Sequence, residues 1–247
     1  MKAAKGLLIF SIFALFFAQA AFAAGKSGGG ESASFICSKI IQAYGGKLAI
    51  EKTSAVYAIG DIDAFMRGDS GTYEMYFKRP RKLRVNTRYQ RSSETRILNG
   101  ESGYRGGDGA LLEKVEDYRL LSMVYQYKHF DLPYGLLRGA YTVILQGKTV
   151  LNGKPASVLH LTDKEGPPMD VYVDGEFHIV KVTGYFDLAQ GATAALTSEF
   201  SDFRKVGGAV FPFKIDYSSG EMKIAETVMK SYKINPPIPD SLFAPGN

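Results

Sequence analysis

From Ser54 onward apolar and polar side chains alternate with a period of two along most of the chain, the signature of strands that bury one face. In the stretch Thr72 to Lys78, Tyr73, Met75 and Phe77 share one face, and Thr72, Glu74, Tyr76 and Lys78 share the other. Along Ala209 to Tyr217 the residues Ala209, Phe211, Phe213, Ile215 and Tyr217 oppose Val210, Pro212, Lys214 and Asp216. The triplets Tyr141, Val143, Leu145 and Met169, Val171, Val173 repeat the rule. Further strands are predicted over 56–66, 83–89, 94–98, 156–161, 177–186, 194–203 and 221–232, and the strand that opens at Tyr141 runs to Val150. Their separators carry turn chemistry, as at Asn99-Gly100, Asn152-Gly153, Asp174-Gly175, Gly207-Gly208 and Ser219-Gly220. Arg67 to Gly71 is expected to be the first hairpin loop. About eleven strands, mostly sequential hairpins, follow from these spacings.

Two segments have the helical period instead. Phe35, Ile36, Ile40, Ile41 and Tyr44 predict a short opening helix that stops at Gly45-Gly46, with Leu48, Ala49 and Ile50 adding a turn. Between Gly109 and Gly139 an apolar insert, about 111–138, has helical spacing, and Pro133 is expected to divide it into a longer and a shorter helix. The insert is too apolar for a solvated connection and must lie against a greasy surface, which a single antiparallel sheet offers. A long sheet twists and curls until it nearly closes, leaving a concave apolar trough. Such a trough, with more than about eight strands, holds a ligand, water or a plug. The fold class is therefore mainly β (α+β), with the insert as plug or lid.

The first 23 residues change where this fold is expected to work. Lys2 and Lys5 precede an apolar stretch from Gly6 to Ala18 and then small residues ending at Ala23, the pattern of a secretory signal peptide. Cleavage is placed after Ala23, with Ala20 as the alternative site and an uncleaved membrane anchor as the other reading. Residues 24–33, with Gly28-Gly29-Gly30, form a flexible lead-in, and 34–247 a single domain. Among 247 residues, 45% are apolar and 22% charged, which excludes wholesale disorder. The formal charge of +5 falls to +3 once Lys2 and Lys5 leave with the leader, too weak a bias for nucleic-acid binding. One cysteine, Cys37, excludes an internal disulfide, and three histidines leave little for a metal site.

Catalytic constellations are missing. Gly68-Asp69-Ser70-Gly71 looks like a serine-protease nucleophile segment, but His129, His160 and His178 all follow it and the stretch already serves as a hairpin turn. Asp61 and Asp63 alternate onto one solvated strand face, and Gly106-Gly107-Asp108-Gly109 has no lysine to make it a phosphate loop. His160 and His178 read as hydrogen-bonded structural residues. No cofactor, no metal and no enzymatic activity are expected. The densest charge feature is Lys78-Arg79-Pro80-Arg81-Lys82 with Arg84 and Arg88. It reads as a solvated turn, or as a site that steers an anionic headgroup or where Arg79 fixes a lid by hydrogen bonds to carbonyls.

At Phe77-Lys78-Arg79-Pro80, Leu83-Arg84-Val85, Asn99-Gly100, Pro212 and the tail Asn235 to Phe243, the sequence resembles the LolA-like family of periplasmic lipoprotein carriers. The resemblance implies an incomplete antiparallel barrel whose hollow accepts acyl chains under a helical lid. It assigns Arg79 the part of locking the lid, with Leu120, Leu121, Met123, Val124 and Tyr125 as inward lid residues. Tyr73, Met75, Phe77, Val143, Leu145, Val171, Val173, Phe211, Phe213 and Ile215 are then the candidates for the lipid-binding wall. The expected partner is an acylated lipoprotein or lipid, handled by a monomer in the periplasm between membrane-bound donor and acceptor proteins on the way to the outer membrane. The wider superfamily also contains envelope sensing modules, so a scaffold that binds a protein partner through the same groove is the alternative.

Overall fold

The computed structural model describes residues 31–188 and 192–246. The expected signal peptide and most of the lead-in lie outside the described residues. Two short helices come first, α1 (Ala33–Ala43) and α2 (Gly46–Lys52). Six strands follow: β1 (Ala55–Ala64), β2 (Asp69–Lys78), β3 (Lys82–Tyr89), β4 (Ser93–Asn99), β5 (Ser102–Gly106) and β6 (Glu113–Val115). The long helix α3 (Asp117–Leu137) leads to seven more, β7 (Thr142–Leu151), β8 (Lys154–Thr162), β9 (Met169–Val173), β10 (Ile179–Asp187), β11 (Thr193–Val206), β12 (Ala209–Ser219) and β13 (Met222–Ile234). A short 3-10 turn, Asp240–Phe243, ends the chain's regular structure.

All thirteen strands form one open antiparallel sheet in the order β6-β5-β4-β3-β2-β1-β13-β12-β11-β10-β9-β8-β7. The first and last strands, β1 and β13, pair in the middle, with Val56 opposite Ile234, while β6 and β7 are the two edges. Helix α3 is the connection from one edge to the other, and it contacts β3, β4 and β5 on one side and β10 on the other. Topology alone thus carries the helix across the hollow of the sheet.

The open, curled sheet agrees with the sequence expectation, with two strands more than the pattern resolves. Those strands are β5, where Gly103 and Gly106 break the alternation, and β6, which is three residues long. Gly103 is required to be small, because a Cβ there would stand 2.9 Å from Leu120 of α3 and 2.9 Å from Val115. The first hairpin loop is also shorter than expected. Asp69, Ser70 and Gly71 belong to β2 and pair with Ala64, Asp63 and Ile62. A Cβ on Gly71 would stand 2.0 Å from the Arg88 carbonyl oxygen of the neighbouring strand.

A second correction concerns Pro133, which lies inside one unbroken α3 instead of dividing two helices. Proline removes a donor and crowds the preceding turn at a cost of about 3 kcal/mol. The helix continues because Leu132, Pro133, Gly135 and Leu136 are all buried, and ~1.5–3 kcal/mol per buried large apolar side chain offsets that cost.

Six consecutive residues of α3, Met123 to Lys128, are buried, so this part of the helix is enclosed by the sheet. Met123, Val124 and Tyr127 pack with Tyr73, Met75, Phe77 and Val85 on one flank. Tyr125, Leu132 and Leu136 pack on the other with Ile36 and Ile40 of α1 and with Leu159, Val171 and Val182 of the far strands. The helix therefore divides the trough into two cores. On the convex face the tail residues Ile238 and Phe243 cover Ala55 and Ile97. Lys78 Nζ donates to the Ile238 carbonyl at 2.9 Å and reaches Asp240 at 2.7 Å, which ties the tail to β2.

Candidate functional site

Arg79 stands in the turn from β2 to β3, which Lys78 and Lys82 close as a cross-strand pair. Its Nε donates to Asp131 Oδ1 of α3 at 2.7 Å, and both side chains are largely buried, 12% and 16% exposed. Nη1 donates to the carbonyls of Ile50, at 3.0 Å, and of Thr53, at the end of α2. The guanidinium also lies over the Tyr134 ring, 3.9 Å from its centroid. Arg79 thus joins the sheet to two helices at once, through carbonyls on α2 and a carboxylate on α3. Burial raises the Asp131 carboxyl above its ordinary range, against the pull of Arg79 and Lys128.

A second pin lies one turn earlier in α3. Lys128 Nζ donates to Asp163 Oδ2, and Asp163 Oδ1 accepts the backbone N–H groups of Glu165 and Gly166, each at 3.0 Å. Burial lowers the Lys128 ammonium, against the effect of Asp163. In addition, the Tyr127 hydroxyl accepts the Arg81 backbone N–H at 3.0 Å. The C-terminal half of α3 is held at three points.

Its N-terminal half borders open space. A cavity of about 370 Å3 lies beside α3, lined among others by Tyr73, Tyr125, Gln126, Leu196 and Tyr217. Its volume falls within the roughly 300–1,000 Å3 of sites that hold small molecules. Adjoining it, and sharing Glu94, Arg96, Arg105, Ser122 and Leu196, is a groove of about 630 Å3 that Met123 and Phe186 also line. At the Arg79 end of the helix a smaller cavity of about 40 Å3 is lined by Phe77, Phe211 and Phe200.

His129 lies between the larger and the smaller cavity and lines both. Its ring meets Tyr125 and Phe200 edge to face, with centroids 4.4 and 5.2 Å away. Neither ring nitrogen is solvent-exposed or hydrogen-bonded. Burial pushes the imidazole down to about 3, so it is neutral at ordinary pH. Gln126 Nε2 donates to the Tyr73 hydroxyl at 3.3 Å, while Gln126 Oε1 is buried without a partner. The wall is aromatic and apolar with a few polar atoms, the usual make-up of a ligand site.

At the rim three arginines converge on one carboxylate. Glu94 Oε2 accepts Nη2 of Arg67 and Nη2 of Arg105, each at 2.9 Å, and Arg96 Nε stands 3.1 Å from Oε1. Burial pushes the Glu94 carboxyl up, but Arg96, Arg105 and Arg67 outweigh it and hold the group below its ordinary value.

The expected site residues are distributed unevenly around these features. Tyr73 lines the larger cavity, and Phe77 and Phe211 line the smaller one. Met75, Val171, Val173, Phe213 and Ile215 are buried in the two cores that flank α3, and Val143 and Leu145 of edge strand β7 are half-buried against one of them. Of the lid residues, Met123, Val124 and Tyr125 are buried, while Leu120 and Leu121 are partly so. Tyr125 donates its hydroxyl proton to the Val182 carbonyl at 2.8 Å, fastening α3 to β10. Asp131, Lys128, Gln126, His129, Glu94 and Arg96 were not among the expected residues. One signal was available, because Glu94 and Arg96 alternate with Leu98 onto the concave face.

The histidines of β8 and of the turn before β10 are structural. His160 Nδ1 lies 2.7 Å from Asp170 Oδ1, and His178 stacks on Phe203 at 4.5 Å. Asp61 and Asp63 are exposed, and Asp61 accepts Lys230 at 2.5 Å. Among the described residues no group of three or more His, Cys, Asp or Glu side chains is placed to hold a metal ion, and no helix is long and apolar enough to cross a membrane.

No protein-family model matches the sequence, and no curated protein matches it. Solved structures do. A DUF1329 family protein from Desulfovibrio piger superimposes with a TM-score of 0.58 at 11% identity, covering 87% of this chain and 98% of its own. A LolA superfamily protein from Nitrosomonas europaea gives 0.55 at 17% identity, over 86% of this chain and 97% of its own. A putative outer membrane lipoprotein-sorting protein domain from Vibrio parahaemolyticus gives 0.55 at 13%, over 85% and 95%. At such identities the likeness is one of architecture, and it matches the open sheet wrapped around a helix described above: the chain has the LolA-like fold.

Proposed function

We propose that the protein is a non-catalytic periplasmic carrier that shelters the acyl chains of a lipoprotein or lipid between α3 and the concave face of the sheet, for transfer toward the outer membrane. The observation that carries this reading is the cavity of about 370 Å3 beside the N-terminal half of α3, which continues into the adjoining groove. Each methylene moved from water into such a space gains about 0.8 kcal/mol, so even a short length of chain binds usefully.

In this reading α3 is a plug in the resting state and a lid during exchange. Its N-terminal half yields to the entering chain, and its C-terminal half is held against the sheet by Arg79 and Lys128 until exchange. Closed empty and open loaded forms then need differ by only a few kcal/mol for cargo to shift the balance. Arg79 is the lock, and the aromatic wall around Tyr73 and Tyr125 is the lining.

Native mass spectrometry of the protein purified from its source envelope fraction tests the proposal. A lipid or an acylated protein bound at one per chain is expected. A stoichiometric protein partner without any acyl group would favour a sensing or scaffolding role instead.

A further inference from the structure

The charged rim of the cavity is unusual for a site that has only hydrocarbon to hold. Four arginines, Arg67, Arg96, Arg105 and Arg119, line the larger cavity and its adjoining groove against the single carboxylate of Glu94, a net charge of +3. Arg96 and Arg105 are direct cross-strand partners on β4 and β5, a placement of like charges that costs stability unless an anion lies between them. Glu94 supplies one such anion and is shared among three guanidiniums. The buried Nε–H of Arg96 stands near that carboxylate at 3.1 Å without the alignment of a hydrogen bond, so it has no acceptor.

On the far side of the same residues is a third space of about 420 Å3. Arg67, Glu94 and Arg105 line it as well, together with Arg119, Lys114 and the carboxylates Asp108 and Glu113, so the cationic excess is concentrated on the side of the cavity and groove. An apolar cavity and a polar one therefore meet at Glu94 and Arg105. That is the shape of an amphiphile.

We propose that the cargo is an anionic amphiphile whose oxyanion headgroup, most simply a phosphate, binds Arg67, Arg96 and Arg105 at this junction while its hydrocarbon enters the cavity beside α3. The inference rests on the carrier reading and names its ligand class. Guanidinium groups bind phosphate through paired, parallel hydrogen bonds; two of them already donate to one acceptor here, and the third stands 3.1 Å away with its Nε–H unused. Glu94 holds the cluster in place when the site is empty and yields part of it to the stronger anion on loading.

Two amphiphiles that share a chain and a glycerol and differ by one phosphate test this: palmitoyl-glycerol-3-phosphate and monopalmitoylglycerol, titrated by calorimetry below their micellar concentrations. The phosphate form is expected to bind about tenfold tighter or more, with the advantage shrinking as salt rises. In Arg67→Gln/Arg105→Gln the advantage is expected to vanish, with an unchanged circular dichroism spectrum showing that the variant is folded. Should the double variant fail to fold, the wild-type pair compared at low and high salt carries the test. Equal affinities for the two amphiphiles would overturn the headgroup assignment and leave the carrier reading intact. Binding of neither would overturn both. Inorganic phosphate forms the third arm: if it binds as tightly as the phosphorylated amphiphile, the site takes a free oxyanion and the proposal fails.

Discussion

Arg79 Nε donates to Asp131 Oδ1 at 2.7 Å, and this one contact ties the turn between β2 and β3 to the helix that plugs the sheet. The same guanidinium also donates to carbonyls at the end of α2, so its removal frees three elements. Replacing Arg79 with leucine is expected to alter cargo release. Because Asp131 is buried, the substitution also leaves a carboxylate without its cation, at a cost of about 3–5 kcal/mol. Asp131→Asn separates the two effects. It keeps an acceptor for Nε but removes the charge that faces the buried guanidinium, so it is expected to cost less than Arg79→Leu and still to speed cargo release. Stopped-flow release of a fluorescent acyl probe checks this, and unchanged kinetics would remove the pair from the mechanism.

His129 makes stability depend on pH with a definite sign. Its imidazole is pushed down to about 3 in the folded protein, against about 6.5 for an unfolded chain. Below pH 6.5 the unfolded state takes up a proton that the folded state refuses. Stability is therefore lost as the pH falls from about 6.5 toward 3, by up to about 1.4 kcal/mol per pH unit. His129→Phe keeps a ring between Tyr125 and Phe200 and is expected to flatten the curve in this window. The difference between wild type and variant in urea unfolding, measured from pH 7 to 4, reports it.

The pair Lys128 and Asp163 is predicted to be asymmetric. Asp163→Ala strands a buried ammonium and removes the acceptor of two backbone N–H groups, whereas Lys128→Met leaves those two bonds in place. The aspartate variant is expected to lose about 3–5 kcal/mol, and the lysine variant clearly less. Equal losses in chemical denaturation would show that the backbone contacts do not matter.

Leu196 lines both the larger cavity and the adjoining groove. It is half-buried on β11, with room in front of it. Leu196→Trp is expected to fill part of that room, weaken acyl-probe binding by about tenfold or more and change thermal stability little. Retained affinity would place the chain elsewhere.

Most of the fold was legible because it depends on a period of two. The alternation of Tyr73, Met75 and Phe77 fixes which face of β2 is concave, and Gly45-Gly46 marks the end of α1. The elements that were not legible lack that signal. In β5 the small residues Gly103 and Gly106 answer to contacts with Leu120 and Leu112, which an alternating pattern does not record. Pro133 was misleading for the same reason, since burial on both flanks of α3 outweighs a local preference. At the site, Arg79 was readable from its motif, but its partner Asp131 lies 52 residues away in sequence. The charged rim was harder still, because Arg67 of the β1–β2 turn, Glu94 and Arg96 of β4, and Arg105 of β5 come from three places that only the register of β1 to β5 brings together.

The central claim is that hydrocarbon enters between α3 and the concave sheet, and a photoreactive acyl chain locates it directly. After loading with a diazirine-bearing palmitate and illumination, peptide mapping is expected to find adducts on the segments that carry Tyr73, Gln126, Leu196 and Tyr217. Those adducts are expected to disappear in Leu196→Trp. Labelling confined to the convex face, around Ile97 and Phe243, or equal labelling in the blocked variant, would contradict the account.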